Sequence, residues 1–92
     1  MSETAVQIIC KGKVQGVFFR ASTKTEAEKL GLAGWVRNEP NGDVLIHAQG
    51  EESEVERLIS WCHRGPQFAR VDLVLVSEAE SEAVSGFEVR YF

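Results

Sequence analysis

Apolar residues along this chain alternate between a period of two and a helical spacing. Over residues 5–13, Val6, Ile8 and Cys10 fall on one side with Ile9 as the exception, which predicts a strand with a mostly buried face, ended by Gly12 and Lys13. Residues 22–33 read as a helix. Thr23, Ala27 and Leu30 recur four and three apart, Glu26, Glu28 and Lys29 mark the wet sides, Ser22 is the candidate N-cap and Gly31 the stop. Trp35-Val36-Arg37-Asn38 predicts a short strand, and Asn41-Gly42 a hairpin turn into residues 43–49, where Val44, Ile46 and Ala48 share a face. Ser53-Glu54-Val55-Glu56 is a capping box opening a second helix, with Val55, Leu58, Ile59 and Cys62 along one side and Gly65-Pro66 at its end. Residues 69–77 return to a strand, Val71, Leu73 and Leu75 on one face, Val74 and Val76 on the other. An acidic stretch, Glu78 to Ser85, then leads to a last strand over Gly86 to Tyr91.

The order is β-α-β-β-α-β with an additional C-terminal strand. Two helices and such a sheet close one core when both helices cover the same face. The expected fold is therefore an α+β, ferredoxin-like sandwich with a mainly antiparallel sheet. Its expected core is Val6, Ile8, Ala27, Leu30, Val36, Val44, Ile46, Val55, Leu58, Ile59, Val71 and Leu73. This fold serves enzymes, metal carriers and RNA binders alike, so it leaves function open.

Composition narrows the choice. The chain has 92 residues, 43% hydrophobic and 26% charged, which suits a single domain over residues 1–92. A domain of this size buries about 60–65% of the surface of its unfolded chain, so stability is marginal. No apolar run approaches the ~18 residues of a membrane span, and the start shows no basic and apolar leader pattern; the expectation is a cytoplasmic chain with no membrane partner. Net charge is −4, which disfavours nucleic acid as a partner. The charge is uneven: residues 1–40 hold six basic and four acidic side chains, residues 41–92 four basic and ten acidic. Lys11, Lys13 and Arg20 fall in residues 11–20 without any acid, a cationic spot suited to a small anion. Cys10 and Cys62 form no Cys-x-x-Cys pair and read as reduced buried residues. His47, placed at the end of a strand, and His63, near a helix end, have no ligand-like partners, so neither a metal nor a cofactor is expected.

Gly12-Lys13-Val14-Gln15-Gly16-Val17-Phe18-Phe19-Arg20 joins the first strand to the first helix. A loop there presents successive backbone N–H groups, backed by the positive end of the helix. Glycines allow positive φ and close approach, and the Arg20 fork can hold two phosphate oxygens. From spacing alone the glycines serve equally as ordinary turn residues, Phe18 and Phe19 as loop anchors, and Arg20 as a solvated side chain. The segment lacks the Gly-Lys-Ser/Thr ending of a Walker A loop.

The same string closely resembles the first signature of the acylphosphatase family. Leu30-Gly31-Leu32-Ala33-Gly34-Trp35-Val36-Arg37-Asn38, followed by Asn41-Gly42-Asp43-Val44, resembles the second. Gly50, Gly65-Pro66, Ala69-x-Val71 and Gly86-Phe87 also fall in that family's pattern, so the resemblance spans nearly the whole chain. It implies hydrolysis of the carboxyl–phosphate anhydride of small acyl phosphates, giving carboxylate and inorganic phosphate. It implies a phosphate-binding loop over Val14, Gln15, Gly16, Val17, Phe18 and Phe19 acting through backbone N–H groups, a phosphate-binding arginine at Arg20 and a water-positioning asparagine at Asn38. A carboxylate leaving group needs no general acid, consistent with the lack of a His or carboxylate base among the site residues the resemblance implies. Asn38 read alone is also a plausible cap of the turn before Glu39-Pro40, and Glu39 sets a carboxylate beside it. Phe18 and Phe19 are expected to pack the cradle rather than touch substrate.

The rival reading is a non-catalytic ferredoxin-like binding module. Its strands lack the aromatic and basic residues of an RNA platform, and the chain lacks the cysteine pair of a metal carrier. A third possibility, a domain of a larger hydrogenase maturation factor, is disfavoured by the length. With no spare apolar face evident, a monomer is expected.

Overall fold

The computed structural model describes residues 2–91. In chain order the elements are β1 (Glu3–Lys13), α1 (Phe19–Lys29), β2 (Ala33–Asn38), β3 (Val44–Glu51), α2 (Glu52–Arg64), β4 (Arg70–Glu78) and β5 (Phe87–Arg90). The sheet order is β4-β1-β3-β2-β5. β3 runs antiparallel to both β1 and β2, β4 antiparallel to β1, and β5 parallel to β2. β1, β2 and β5 therefore run the same way, and their carboxyl ends emerge at one end of the sheet. That topology positions the site. It is the ferredoxin-like α+β arrangement that the periodicity predicts.

One sheet face carries the core. Val6, Ile8 and Cys10 of β1, Val36 of β2, and Val44, Ile46 and Ala48 of β3 meet Ala27 of α1 and Val55, Leu58 and Cys62 of α2. Each such aliphatic side chain contributes about 1.5–3 kcal/mol when fully buried. Leu30, Ile59 and Val71 pack only at the margin of this cluster. The buried loop residues Val14 and Val17, with Phe19, extend it beyond the periodic positions.

Three local expectations are corrected. The first helix opens at Phe19, not near Ser22. Ser22 N already donates to Phe18 O at 3.0 Å, so Ser22 lies inside the first turn. Its end holds: Gly31 at φ 70° follows the C-cap, with Leu32 N bonded to Ala27 O and Gly31 N to Glu28 O, a Schellman closure. The second helix opens at Glu52, without a side-chain cap from Ser53. β1–β3 pairing continues to Glu3↔Glu51 and Glu52 N donates to Ser2 O at 2.8 Å, so the chain turns into the helix before Ser53 is reached.

In β4 the predicted Val71–Leu73–Leu75 face is split. The β1–β4 register slips between Lys11 and Gly12, so Lys11 faces Leu73 and Gly12 faces Val71, leaving Asp72 as the bulge residue. Val71 and Val74 then pack on the core, while Leu73 is 48% exposed. Arg70 bonds Asp72 Oδ1 at 3.0 Å and Oδ2 at 3.3 Å, and this bond holds the Asp72 carboxyl below its ordinary range. No helix among the described residues is long and apolar enough to cross a membrane.

Candidate active site

Residues 14–18 carry the chain from β1 into α1. Val14 and Val17 are buried and pin the loop to the core from below. Gly16 (φ 74°) and Phe18 (φ 64°) are left-handed and alternate with Gln15 and Val17, whose φ is negative. Sign alternation of this kind turns successive N–H groups toward one concavity, the form of an anion nest. Among the described residues, none of the N–H groups of residues 15–18 donates to another protein group. α1 adds the unpaired N–H groups of its first turn, and Phe18 at its N-cap supplies no side-chain acceptor. Phe19 is buried edge-on against Trp61, ring centroids 5.5 Å apart. The loop is thus fixed from inside and unsatisfied outside.

The β2–β3 hairpin holds the loop from the side. Gln15 Nε2 donates to the carbonyl oxygens of Glu39 and Asp43, both at 2.9 Å. Lys11 Nζ lies 2.7 Å from Asp43 Oδ2, so the positive charge of Lys11 is spent on the hairpin. Of the cationic spot seen in the sequence, Arg20 borders the cavity, while Lys13 is exposed and lies off its lining. Glu39, adjacent to Asn38, turns its carboxylate to Arg37 Nε at 2.8 Å and is paired there.

Arg20 and Asn38, 18 positions apart in the chain, border one cavity of about 310 Å³ with Gly16 and Val14. Asn38 stands at the carboxyl end of β2, opposite Val44. Its Oδ1 is buried and accepts no hydrogen bond from a described residue. A buried carbonyl oxygen without a donor costs about 1–3 kcal/mol, a reason to expect a ligand or water O–H there. Phe18 and Phe19 also border the cavity. Phe19 packs as expected; Phe18 does not, being 76% exposed. The Gln15 side chain is taken by the hairpin, and Val17 by the core, so these two can serve a ligand only through the main chain.

Sequence reading missed Ala21, Val89 and Tyr91 on this cavity. Ala21 follows from the earlier helix start. Val89 and Tyr91 arrive because β5 pairs in parallel with β2, a long-range contact that leaves no local signal. The Arg20 guanidinium sits 4.9 Å from the Tyr91 ring centroid.

Two other polar groupings lie away from this cavity. His47 is not at a strand end but inside β3 and fully buried, stacked on Trp35 with ring centroids 5.9 Å apart. Its Nε2 lies 2.7 Å from Gln49 Oε1, while its Nδ1 lies 3.6 Å from Glu82 Oε2. Glu82 also accepts from Trp35 Nε1 at 2.9 Å, and Gln49 exchanges two bonds with the Glu82 main chain, at 2.8 and 3.0 Å. Cys10 and Cys62 are both buried, and the hydrogen bond that the Cys62 S–H donates to Cys10, aided by burial, pushes the Cys62 thiol well up.

The sequence profile of the acylphosphatase family matches residues 6–89. An acylphosphatase of Rubrobacter xylanophilus is 51% identical over 86 residues, covering 92% of this chain and 78% of the relative. The structure of an acylphosphatase from Coxiella burnetii superposes with a TM-score of 0.92 at 44% identity, covering 96% of this chain and 93% of that one. The chain also matches full-length HypF in its phosphate- and nucleotide-bound form, with a TM-score of 0.87 at 29% identity, covering 98% of this chain and 12% of that protein.

Proposed function

The chain belongs to the acylphosphatase family and hydrolyses acyl phosphates to carboxylate and inorganic phosphate, and from that premise we propose how its own residues divide the work. The phosphoryl group lies on the N–H groups of residues 14–19, with the Arg20 fork across its equatorial oxygens. These donors are set before substrate arrives, so they stabilise charge spread in the transition state with little reorganisation. A guanidinium and a ring of amides supply the positive potential that a metal supplies elsewhere. Asn38 Oδ1 accepts a hydrogen bond from the attacking water and aims its lone pair at phosphorus. The new P–O bond forms as the P–O bond to the acyl oxygen breaks, that electron pair leaves on the carboxylate, and the water proton passes to a phosphate oxygen. No general acid is required.

The observation that carries this reading is the buried Asn38 Oδ1, without a donor among the described residues, on the same cavity as Arg20 and the phosphate-loop residues Val14 and Gly16. The deciding experiment is phosphate release from acetyl phosphate by the pure protein. Arg20→Ala should abolish turnover and phosphate binding together, whereas Asn38→Ala should lower kcat and leave binding of inorganic phosphate in place. Full activity in both variants would overturn the assignment. The reading extends to residues 1–92 as one domain, acting as a cytoplasmic monomer on small acyl phosphates. Its one contiguous core supports the single domain.

A further inference from the structure

A second cavity, of about 310 Å³, lies between α1 and the carboxyl end of α2. Ser22, Thr25 and Glu26 of α1 line it, with Trp61 of α2 and Pro66 of the turn that follows. It shares only Ala21 with the cavity that holds Arg20 and Asn38. The phosphoryl chemistry uses none of its side chains.

The lining holds one carboxylate and no basic side chain. Glu26 Oε1 lies 3.6 Å from Lys29 Nζ, too far for a hydrogen bond, and that lysine is 68% exposed. The pair is therefore weak and screened by solvent, and Oε2 stands outside it. The Thr25 hydroxyl spends its proton on Ala21 O at 3.1 Å, which leaves its oxygen as an acceptor. Ser22 adds a second hydroxyl. Trp61 supplies a half-buried indole, fixed edge-on against Phe19 with centroids 5.5 Å apart. It stands in the last turn of α2, which closes with Gly65 N on Trp61 O at 2.8 Å, at the negative end of the helix dipole. His63 and Arg64 of the same turn lie off the lining. The first turn of α1 opposes a cation with about half a charge, less than the full charge of Glu26 that attracts one.

We infer that this cavity is a binding site for a small alkylamine, held by its ammonium group. The ammonium N–H groups donate to the Glu26 carboxylate and to a hydroxyl oxygen of Ser22 or Thr25, and the alkyl body covers Trp61 and Pro66. An indole attracts both a cation and apolar carbon, so Trp61 serves either end of such a ligand. A carboxylate ligand of the same length meets the charge of Glu26 and is rejected, and a neutral alcohol lacks the charge-assisted bond. This site stands apart from the phosphate placement and does not depend on it.

The test follows the two indole N–H signals of the protein by NMR as n-butylammonium chloride is added at constant ionic strength, with butanol and sodium butyrate as controls. The Trp61 signal should shift saturably, with half-saturation at about 1–10 mM, the scale for a ligand of so few atoms. The Trp35 signal, whose Nε1 is bonded to Glu82 at 2.9 Å, should stay in place as the internal reference. Glu26→Gln keeps the side-chain shape without the charge and should weaken butylammonium binding roughly 10-fold, with the Trp35 signal reporting an intact fold. A Trp61 shift no larger with butylammonium than with butanol or butyrate overturns the inference. Equal affinity in the native protein and Glu26→Gln overturns it as well.

Discussion

Gln15 is bonded to the hairpin at Asp43: its Nε2 donates to the Asp43 carbonyl oxygen at 2.9 Å, and to the Glu39 carbonyl at the same distance. One amide thus fixes the anion loop against the strand end that carries Asn38. The two halves of the site come from different parts of the chain, and their separation is set by this contact. Removing it in Gln15→Ala takes one of two donors from each carbonyl, leaving Gly42 N on Glu39 O and Glu39 N on Asp43 O, and the two lost bonds should cost about 1–2 kcal/mol of stability. It should also lower kcat by roughly 10-fold, because small misplacements of reacting groups are expensive, while binding of inorganic phosphate falls less. Equal loss of kcat and phosphate binding would show that Gln15 shapes the cradle alone.

Arg20→Lys separates charge from geometry. A lysine ammonium keeps the positive charge but cannot present two parallel N–H groups to a phosphate. Turnover of acetyl phosphate should fall by about 100-fold, in line with the loss of a preorganised oxyanion donor. Activity near the native level would mean that the loop amides do nearly all the holding. Activity of the native protein is expected to be the same before and after treatment with a chelator, since the proposed positive potential comes from protein groups.

Glu82 is the clasp of the opposite sheet face. It joins Trp35, Gln49 and buried His47, and so holds the acidic 79–86 connection against the sheet just before β5. Glu82→Ala leaves the Trp35 indole N–H without its acceptor. The loss should be about 1–2 kcal/mol, read as a fall in Tm of roughly 4–8 °C per kcal/mol in a domain of this size. A Tm unchanged within error would show that water replaces the clasp without cost.

Cys62 links stability to alkaline pH. Its thiol is raised in the folded chain above the ordinary value of 9.0, first by the hydrogen bond it donates to Cys10 and then by burial. A raised value means that the folded state keeps a proton the unfolded chain releases. The contribution is complete below pH 9.0 and is lost as pH rises from there through the folded value. Unfolding free energy should therefore decline above that pH, and Cys62→Ala, less stable at neutral pH, should decline less steeply. The native thiols should react with a thiol reagent only on unfolding, because both residues are buried and the Cys62 thiolate is disfavoured.

Local patterns in the chain determined the element types and most of the core. Val6, Ile8 and Cys10, like Val44, Ile46 and Ala48, alternate with a period that only a one-faced strand satisfies, and they are buried as that period requires. Gly31 and Gly65 end their helices where left-handed residues are needed. Arg20 and Asn38 stood out through the motifs they end, although nothing local showed that they border one cavity.

Tertiary structure decided the rest, because it depends on which strands become neighbours. Parallel pairing of β5 with β2 carried Tyr91 to Arg20, and a slip at Gly12 turned Leu73 outward while keeping Val71 on the core. Pairing of Glu3 with Glu51 set the start of α2 ahead of Ser53, and extension of β3 beyond Gln49 with packing beside Trp35 put His47 inside the strand and buried rather than at its end. In each case a hydrogen bond or packing contact between distant residues outweighs a local preference of about 1 kcal/mol, and local spacing carries no record of it.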